Sequence, residues 1–302
     1  MLQSQLSSIN QAQRERLFHI DFRLYFLGTI NRYDLESRFG IKQAAATRDI
    51  SLYKELAPKN LEYDTKAKTY IQREGFEPLF NFNNNQGLSA LLYGYGDDFV
   101  MSNSAFVPTE APTQLNLPLS DILACITRGI HNKQAIRINY LSLSSGLSQR
   151  EIVPHTLVDN GLRWHVRGFD RQRQKFSDFV INRIDKPCLL TGNLVTDTES
   201  KAADLQWHSM VELQLVPHPS LKHPETIEYE YGMANGLLSV QVRAAVAGYV
   251  LRRWNVDCTE NHDLTAGGEY HLWLKNAQAL NGVENFILTP GFLALKGNSG
   301  IE

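Results

Sequence analysis

The sequence predicts an α+β protein of roughly two or three domains. Helical periodicity fills residues 11–56, where apolar residues recur at three- and four-residue spacing. From Ala135 the period changes to two, in four short runs separated by polar turns. A strand, strand-helix and strand pattern follows Asp204. The order indicates a helical N-terminal domain, a small antiparallel β domain and a small α/β C-terminal domain.

Composition favours a soluble cytoplasmic protein with no membrane partner. The 302 residues are 43% hydrophobic and 21% charged, as in ordinary globular domains. No window approaches the roughly 18 apolar residues of a membrane span, and "MLQSQLSSINQAQRER" lacks the features of a signal peptide. The chain has three cysteines, Cys125, Cys188 and Cys258. An odd number at wide spacing is not typical of a disulfide framework, so reduced thiols are predicted.

Charge is distributed unevenly along the chain. The net charge is −2, but residues 1–72 hold 11 Lys and Arg against 8 Asp and Glu. Residues 133–186 hold 10 against 5, and residues 205–302 hold 6 against 10. Two basic blocks therefore precede an acidic one, as expected if particular faces contact phosphate.

The N-terminal block predicts three helices and a hairpin. The first helix covers about residues 11–30, with a stripe through Leu17, Ile20, Leu24 and Leu27. A second runs from about Tyr33 to Phe39 and stops at Gly40, and a third spans about 42–56, before Pro58. "LEYDTKAKTYI" then alternates around a basic tip, as a hairpin does. This order defines a winged helix-turn-helix.

The third helix has the composition of a helix that enters a DNA major groove. Its predicted buried stripe is Ala46, Ile50, Tyr53 and Ala57. Small outward side chains would let its axis approach base edges, with Gln43 and Thr47 contacting bases and Arg48 a phosphate. The expected DNA-contacting residues are Lys42, Gln43, Ala44, Thr47, Arg48 and Ser51, with Lys66 and Lys68 at the wing tip. Alternatively, the alanines are simply strong helix formers and the basic residues a solvated face.

The β domain carries a basic row. Residues 76–132 precede it as a predicted helical linker that includes the amphipathic run "LSDILACITRGIHNK". In "LRWHVRGFD", alternation predicts Arg163, His165 and Arg167 on one face and Trp164 and Val166 on the other. The basic face would then be displayed over an aromatic core. Arg150, His155 and Arg183 from neighbouring strands would complete a cationic pocket for phosphate or a nucleic-acid strand.

The stretch "YLSLSSGLSQREIVPHTLVDNGLRWHVRGFDRQRQKFSDFVINRI" resembles the WYL domain of bacterial transcription factors. The name-giving triplet here is Trp164-His165-Val166, and "RWHVRGFD" is most similar to WYL repressors encoded beside phage-defence operons such as BREX and CBASS. The resemblance implies an Sm-like five-stranded barrel and a homodimer on a palindromic operator. The implied effector-binding residues are Tyr140, Ser142, Arg150, His155, Trp164, His165, Arg167 and Arg183.

These patterns set the predicted domain boundaries. The winged helix covers 1–75, the linker 76–132, the β-barrel 133–195 and the C-terminal extension 205–302. In the extension, a helix over about 244–254 is predicted to turn Val246, Tyr249 or Val250, and Trp254 toward a core. The family resemblance implies dimerisation through this extension, and a purely supportive packing domain is the alternative.

Enzymatic chemistry is not predicted. Ser145, His155 and Asp170 are the residue types of a hydrolase triad, but the sequence contains no G-x-S-x-G nucleophile elbow. His218 and His223 lack helical i, i+4 spacing and lie between prolines, so neither a metal site nor a cofactor is expected.

The predicted function is a homodimeric, sequence-specific repressor that a nucleotide or short nucleic-acid effector releases from double-stranded operator DNA. An activator of the same architecture is one alternative. The other is a single-stranded nucleic-acid-binding accessory that modulates a partner enzyme, with the winged helix as a protein contact.

Overall fold

The computed structural model describes residues 9–82, 91, 115–264 and 268–292. The chain divides into two compact units, one of residues 1–157 with 163–195 and one of residues 158–162 with 196–302. In the ranges described, no helix is both long and apolar enough to cross a membrane. Much of the predicted linker, 83–90 and 92–114, lies outside these ranges.

The N-terminal region is a winged helix-turn-helix, as predicted. Its helices are α1 (Gln11–Leu27), α2 (Arg32–Phe39) and α3 (Gln43–Leu56). Its strands are β1 (Thr29–Ile30), β2 (Leu61–Asp64) and β3 (Thr69–Gln72), in the antiparallel order β1-β3-β2. One cluster of buried side chains from all three helices, including Leu24, Leu35 and Tyr53, forms the core.

The first helix ends earlier than predicted, at Leu27 instead of Ile30. Gly28 caps it in the left-handed region at φ 80°, and its amide donates to the Arg23 and Leu24 carbonyls at 3.0 and 3.1 Å. Thr29 and Ile30 then pair with β3. This two-residue strand ties the wing to the helices.

The middle region is a helix packed on a five-stranded antiparallel sheet. Its elements are α4 (Ser120–His131), β4 (Ile136–Ser142), β5 (Gly146–Asp159), β6 (Trp164–Asp170), β7 (Lys175–Val180) and β8 (Ile184–Leu189), with a 3₁₀ turn at Ile181–Arg183. The strand order is β7-β6-β5-β4-β8. Within the described residues no ladder joins β7 to β8, so the sheet is open, whereas the resemblance implied a closed barrel.

The helix α4 belongs to the core of this sheet. Leu123 and Ile126 pack in one buried cluster with Ile136 and Trp164, and Phe26 of α1 joins the same cluster. The winged helix and the sheet therefore share a continuous apolar core inside the first unit.

The C-terminal unit is a small α/β domain. It contains α5 (Leu205–His208), β9 (Met210–Pro217), α6 (Pro224–Glu230), β10 (Leu238–Arg243), α7 (Ala244–Arg253), β11 (Val256–Asp257) and β12 (Leu272–Leu274). Its sheet has the order β10-β9-β12-β11, with β11 parallel to β12.

The predicted core face of α7 was only partly right, since Val250 packs against the core cluster but Trp254 does not. The buried positions include Ala247, Gly248 and Leu251, while Trp254 is 38% exposed. A Cβ built on Gly248 would lie 2.1 Å from the Asn285 carbonyl oxygen. The helix turns Ala247 and Gly248 inward because the Asn285 backbone approaches that position closely, and Leu251 packs in the core one turn further on.

Candidate functional site

The exposed face of α3 carries the residues predicted to contact DNA. Ala46, Ile50 and Tyr53 are buried. The six residues predicted on the outward face are all exposed: Lys42, Gln43, Ala44, Thr47, Arg48 and Ser51. These six residues therefore present two cations, Lys42 and Arg48, among uncharged side chains.

The only acid in residues 42–54 is removed from this surface. Asp49 is 2% exposed and lies on the buried side of α3. Arg16 of α1 donates from Nε to Asp49 Oδ2 at 2.6 Å, and Gln13 donates from Nε2 to Oδ1 at 2.9 Å. Sequence analysis did not identify this clamp, although Asp49 falls three residues after buried Ala46, on the same side of the helix. Paired internally, Asp49 leaves residues 42–51 without an exposed negative charge, and the exposed Glu55 lies in the last turn of the helix.

The start of α3 is open to solvent. Lys42 is the N-cap residue and makes no side-chain capping hydrogen bond. Thr47 Oγ1 donates to the Gln43 carbonyl at 2.9 Å, so only its lone pairs remain for a partner on DNA. The first turn combines the positive end of the helix dipole with a cationic cap residue.

The wing tip has an ordered backbone and exposed lysines. Asp64 Oδ1 accepts from the Lys66 amide at 2.8 Å and the Ala67 amide at 3.1 Å. Hydrogen bonds from the amides of Ala67 and Lys66 hold the pKa of Asp64 below its usual value. Lys66 and Lys68 are both exposed. The turn thus fixes the backbone while both ammonium groups face solvent.

A buried polar network anchors α3 to α1 and to the chain after the wing. The Tyr53 hydroxyl donates to Asp21, whose other oxygen accepts from the Phe80 amide at 2.9 Å. Asn60 Nδ2 donates to the Tyr53 hydroxyl at 3.0 Å and to the Glu77 carbonyl at 2.7 Å. Burial raises the pKa of Asp21 to about 6.

In the middle sheet, most of the predicted basic surface is buried: of the row Arg163, His165 and Arg167, Arg163 alone is exposed. Arg150 is 7% exposed and Arg167 is 3% exposed. Arg150 Nη1 donates to Asp170 at 2.9 Å, and Arg167 Nη1 donates to Asp178 at 3.1 Å. Alternation assigned strand faces but did not reveal these carboxylates, which neutralise both guanidinium groups inside the fold.

Strand register places the two arginines on opposite faces of the sheet. Arg150 lies directly opposite Ile138, whose side chain belongs to the apolar core. Arg167 lies opposite Asp178, and alternates with Val166 of that same core. Because directly opposed residues share a face and successive residues do not, Arg150 projects to the core side and Arg167 away from it. The structure does not bring these two together.

The other residues expected at the effector site have varied surroundings. Trp164 is 5% exposed and is part of the core. Burial lowers the pKa of His165 below its usual value, which disfavours the charged imidazolium. Tyr140 accepts from the Val180 amide at 3.3 Å, and His155 Nδ1 lies 2.8 Å from Thr156 Oγ1. Four of the expected effector-site residues are half-buried and remain accessible to solvent: Tyr140, Ser142, His155 and Arg183.

The winged helix, the helix-backed antiparallel sheet and the α/β unit define a class of protein: a multidomain transcription regulator. Family profiles match in the same order. They are described as the BrxR transcriptional regulator winged helix-turn-helix domain (residues 12–88), the WYL domain (121–189) and the BrxR transcriptional regulator C-terminal dimerization domain (210–280). The predicted WYL resemblance is confirmed.

Whole-chain relatives are described as the DNA-binding transcriptional repressor CapW. The Escherichia coli (strain KTE188) protein is 32% identical over 279 residues, 87% of this chain and 89% of the relative. The Stenotrophomonas maltophilia protein is 31% identical over 280 residues, 90% and 92% of the two chains. The Pseudomonas aeruginosa protein is 35% identical over 260 residues, which are 81% of this chain and 83% of the relative. The chain belongs to this BrxR/CapW family of DNA-binding transcriptional regulators, so the prediction that it is not an enzyme is confirmed.

Proposed function

We propose that this protein is a homodimeric repressor that places α3 of each protomer in the major groove of a palindromic operator. The observation that carries the proposal is the outward surface of residues 42–51, which exposes Lys42 and Arg48 and no acid because Asp49 is clamped internally by Arg16. The exposed acid of α3, Glu55, lies in the last turn of the helix. A duplex exposes a dense row of phosphates, so an outward carboxylate among residues 42–51 would oppose binding. The relatives named as DNA-binding transcriptional repressors support the sign of regulation.

Side chains on this surface have distinct proposed roles. Gln43 is at the exposed start of the helix, where a carboxamide can pair with the N6 and N7 edge of adenine. Arg48, Lys66 and Lys68 would contact phosphates, which fixes position on the duplex without specifying sequence. The regulated genes are proposed to be a phage-defence operon, in line with the family resemblance.

The test is a binding titration against duplex DNA from upstream of the protein's own gene, at fixed salt, with a scrambled duplex as competitor. Arg48→Ala should weaken binding to both sequences and reduce the slope of log affinity on log salt by about one. Gln43→Ala should cost about 1–3 kcal/mol and relax specificity at one base pair. Arg173→Ala, an exposed arginine in the β6–β7 turn, is the charge-matched control. Equal competition by the scrambled duplex would contradict an operator in that region.

We further propose that a nucleotide or short nucleic acid bound at the middle sheet releases the operator. Such an effector can release the operator only if it binds the DNA-free state of the protein more tightly than the DNA-bound state. Of the residues expected there, Tyr140, Ser142 and Arg183 are half-buried and are the proposed points of first contact. His155 contacts Phe176 on the opposite face of the sheet from Tyr140, which contacts Phe179. A transcription assay with and without Arg183→Ala distinguishes loss of induction from loss of repression.

The accessory-protein alternative makes the opposite prediction. It requires Arg167→Ala to abolish nucleic-acid binding while Arg48→Ala leaves duplex affinity intact. Pairing of Arg167 with Asp178 favours the repressor instead, because the guanidinium is already neutralised in the fold. An activator would bind the same duplex and raise transcription in the same assay.

A further inference from the structure

The tip of the β4–β5 hairpin exposes three leucines. Leu141 is 53% exposed, Leu143 is 88% exposed and Leu147 is 69% exposed. Leu141 and Leu147 are directly paired across the hairpin, so their side chains lie side by side on one face. Leu143 follows Leu141 by two residues, at the start of the turn.

This face of the hairpin should be polar. The inward positions of β4 include Ile136 and Ile138, both fully buried, so alternation directs Leu141 to the outer face. At the base of the same outer face, Arg137 and Glu151 form an exposed ion pair at 3.1 Å. The outer face therefore changes from charged at the base to apolar at the tip, against the polar-out pattern of a half-buried sheet.

The tip has an ordered backbone. Ser142 Oγ accepts from the Ser144 amide at 3.2 Å and from the Ser145 amide at 3.4 Å. Gly146 turns the chain into β5 at φ 66°. The leucines are thus presented by a fixed turn, so little conformational entropy remains to be lost on association.

Charge identifies the kind of surface that this tip fits. Residues 138–149 contain no Asp, Glu, Lys or Arg. Nucleic acid is a poor partner because the tip offers no cation to phosphate. An identical tip is a good partner, since two uncharged apolar surfaces meet without repulsion and a two-fold axis pairs a surface with itself.

We infer that the leucine tip, defined as Leu141, Leu143 and Leu147, docks against the same tip of a second copy of this chain. Three leucines bury on the order of a few hundred Å², less than the roughly 800 Å² per partner of a stable interface. The tip is therefore a second contact within a dimer held mainly elsewhere. It rests on the proposed homodimer, for which residues 210–280 supply the matching dimerization domain.

Two measurements on the full chain test this contact. The first is the dimer dissociation constant from analytical ultracentrifugation of the wild type and of the triple variant Leu141→Ser, Leu143→Ser, Leu147→Ser. The triple variant should dissociate about tenfold more readily, a change that corresponds to about 1.4 kcal/mol. Leu194→Ser is the matched control, since Leu194 is 89% exposed in the same unit but distant in sequence.

The second measurement is cross-linking of Leu143→Cys with a short bismaleimide. The background is Cys188→Ser, because Cys188 is exposed while Cys125 and Cys258 are buried. A self-paired tip should give a covalent dimer, and Leu194→Cys in the same background should not.

The outcomes separate the two hypotheses. A monomeric wild type would remove the proposed homodimer and this contact with it. A dimeric wild type whose triple variant dissociates normally, with no cross-link at residue 143, would overturn the leucine contact alone and leave the homodimer standing.

Discussion

Removing the Arg16 guanidinium should destabilise the DNA-binding region and disturb α3. Arg16 is 17% exposed, and its Nε contacts an Asp49 carboxylate that is 2% exposed. The substitution Arg16→Met keeps the apolar stem but removes the charge, so among the described residues Asp49 retains Gln13 as its one side-chain partner. A nearly buried carboxylate with one neutral hydrogen bond is poorly solvated.

The expected cost is about 3 kcal/mol. Breaking a buried ion pair by removing one partner costs about 3–5 kcal/mol. The lower end applies here because Arg16 remains partly exposed, so water already screens the pair, and because the Gln13 bond persists at 2.9 Å. Asp49→Asn removes the charge itself, so the double variant should be less destabilised than the sum of the singles by about 1–2 kcal/mol.

Urea unfolding of the wild type, the two single variants and the double variant, followed by far-ultraviolet circular dichroism, measures the coupling free energy between Arg16 and Asp49. Hydrogen exchange of the α3 amides reports whether the loss is local to that helix. Arg173→Met, an exposed arginine elsewhere in the first unit, controls for loss of positive charge. Additivity within about 0.5 kcal/mol, with unchanged exchange in α3, would refute the clamp.

Two further predictions concern buried groups. Burial raises the pKa of Asp21 from 3.8 to about 6, so this carboxyl binds its proton more tightly in the folded state. The resulting stabilisation is present below pH 3.8 and is lost as pH rises through 6. Unfolding free energies at pH 5 and 7.5 should differ less in Asp21→Asn than in the wild type, and an unchanged difference would contradict the assignment. Gly248→Ala should cost several kcal/mol, because its Cβ would lie 2.1 Å from the Asn285 carbonyl oxygen. Gly282→Ala, with φ 85° but open space around it, should cost only about 1 kcal/mol in the same melting assay.

Local patterns were sufficient to predict the winged helix. Gly40 ends α2 at φ 63° as its position indicated, and the outward and inward faces of α3 follow the helical period. The two-residue strand β1 was not predictable, because Thr29 and Ile30 are strand residues only through pairing with β3, some 40 positions away. Asp49 was missed for the same reason, since its partner Arg16 is 33 residues distant.

The site in the middle sheet shows a different limit of sequence reasoning. Period-two alternation correctly separated Trp164 and Val166 from Arg167, but it carries no information on what faces each side. Asp178 lies opposite Arg167 because the β6–β7 turn sets the register, and Asp170 reaches Arg150 from another strand. Long-range pairing therefore changed a predicted open cationic surface into buried, neutralised ion pairs.

These buried pairs constrain how an effector could act. An anionic ligand that takes Arg167 would leave Asp178, only 11% exposed, without its guanidinium. Losing this ion pair is costly for a carboxylate that is nearly buried, so ligand binding would disfavour the present position of Asp178. Asp178 is on β7, an edge strand of the sheet, so ligand binding at Arg167 would be coupled to displacement of that edge. An effector acting this way should increase hydrogen exchange in β7 when it binds, whereas a ligand held only by the accessible Arg183 should leave β7 protected.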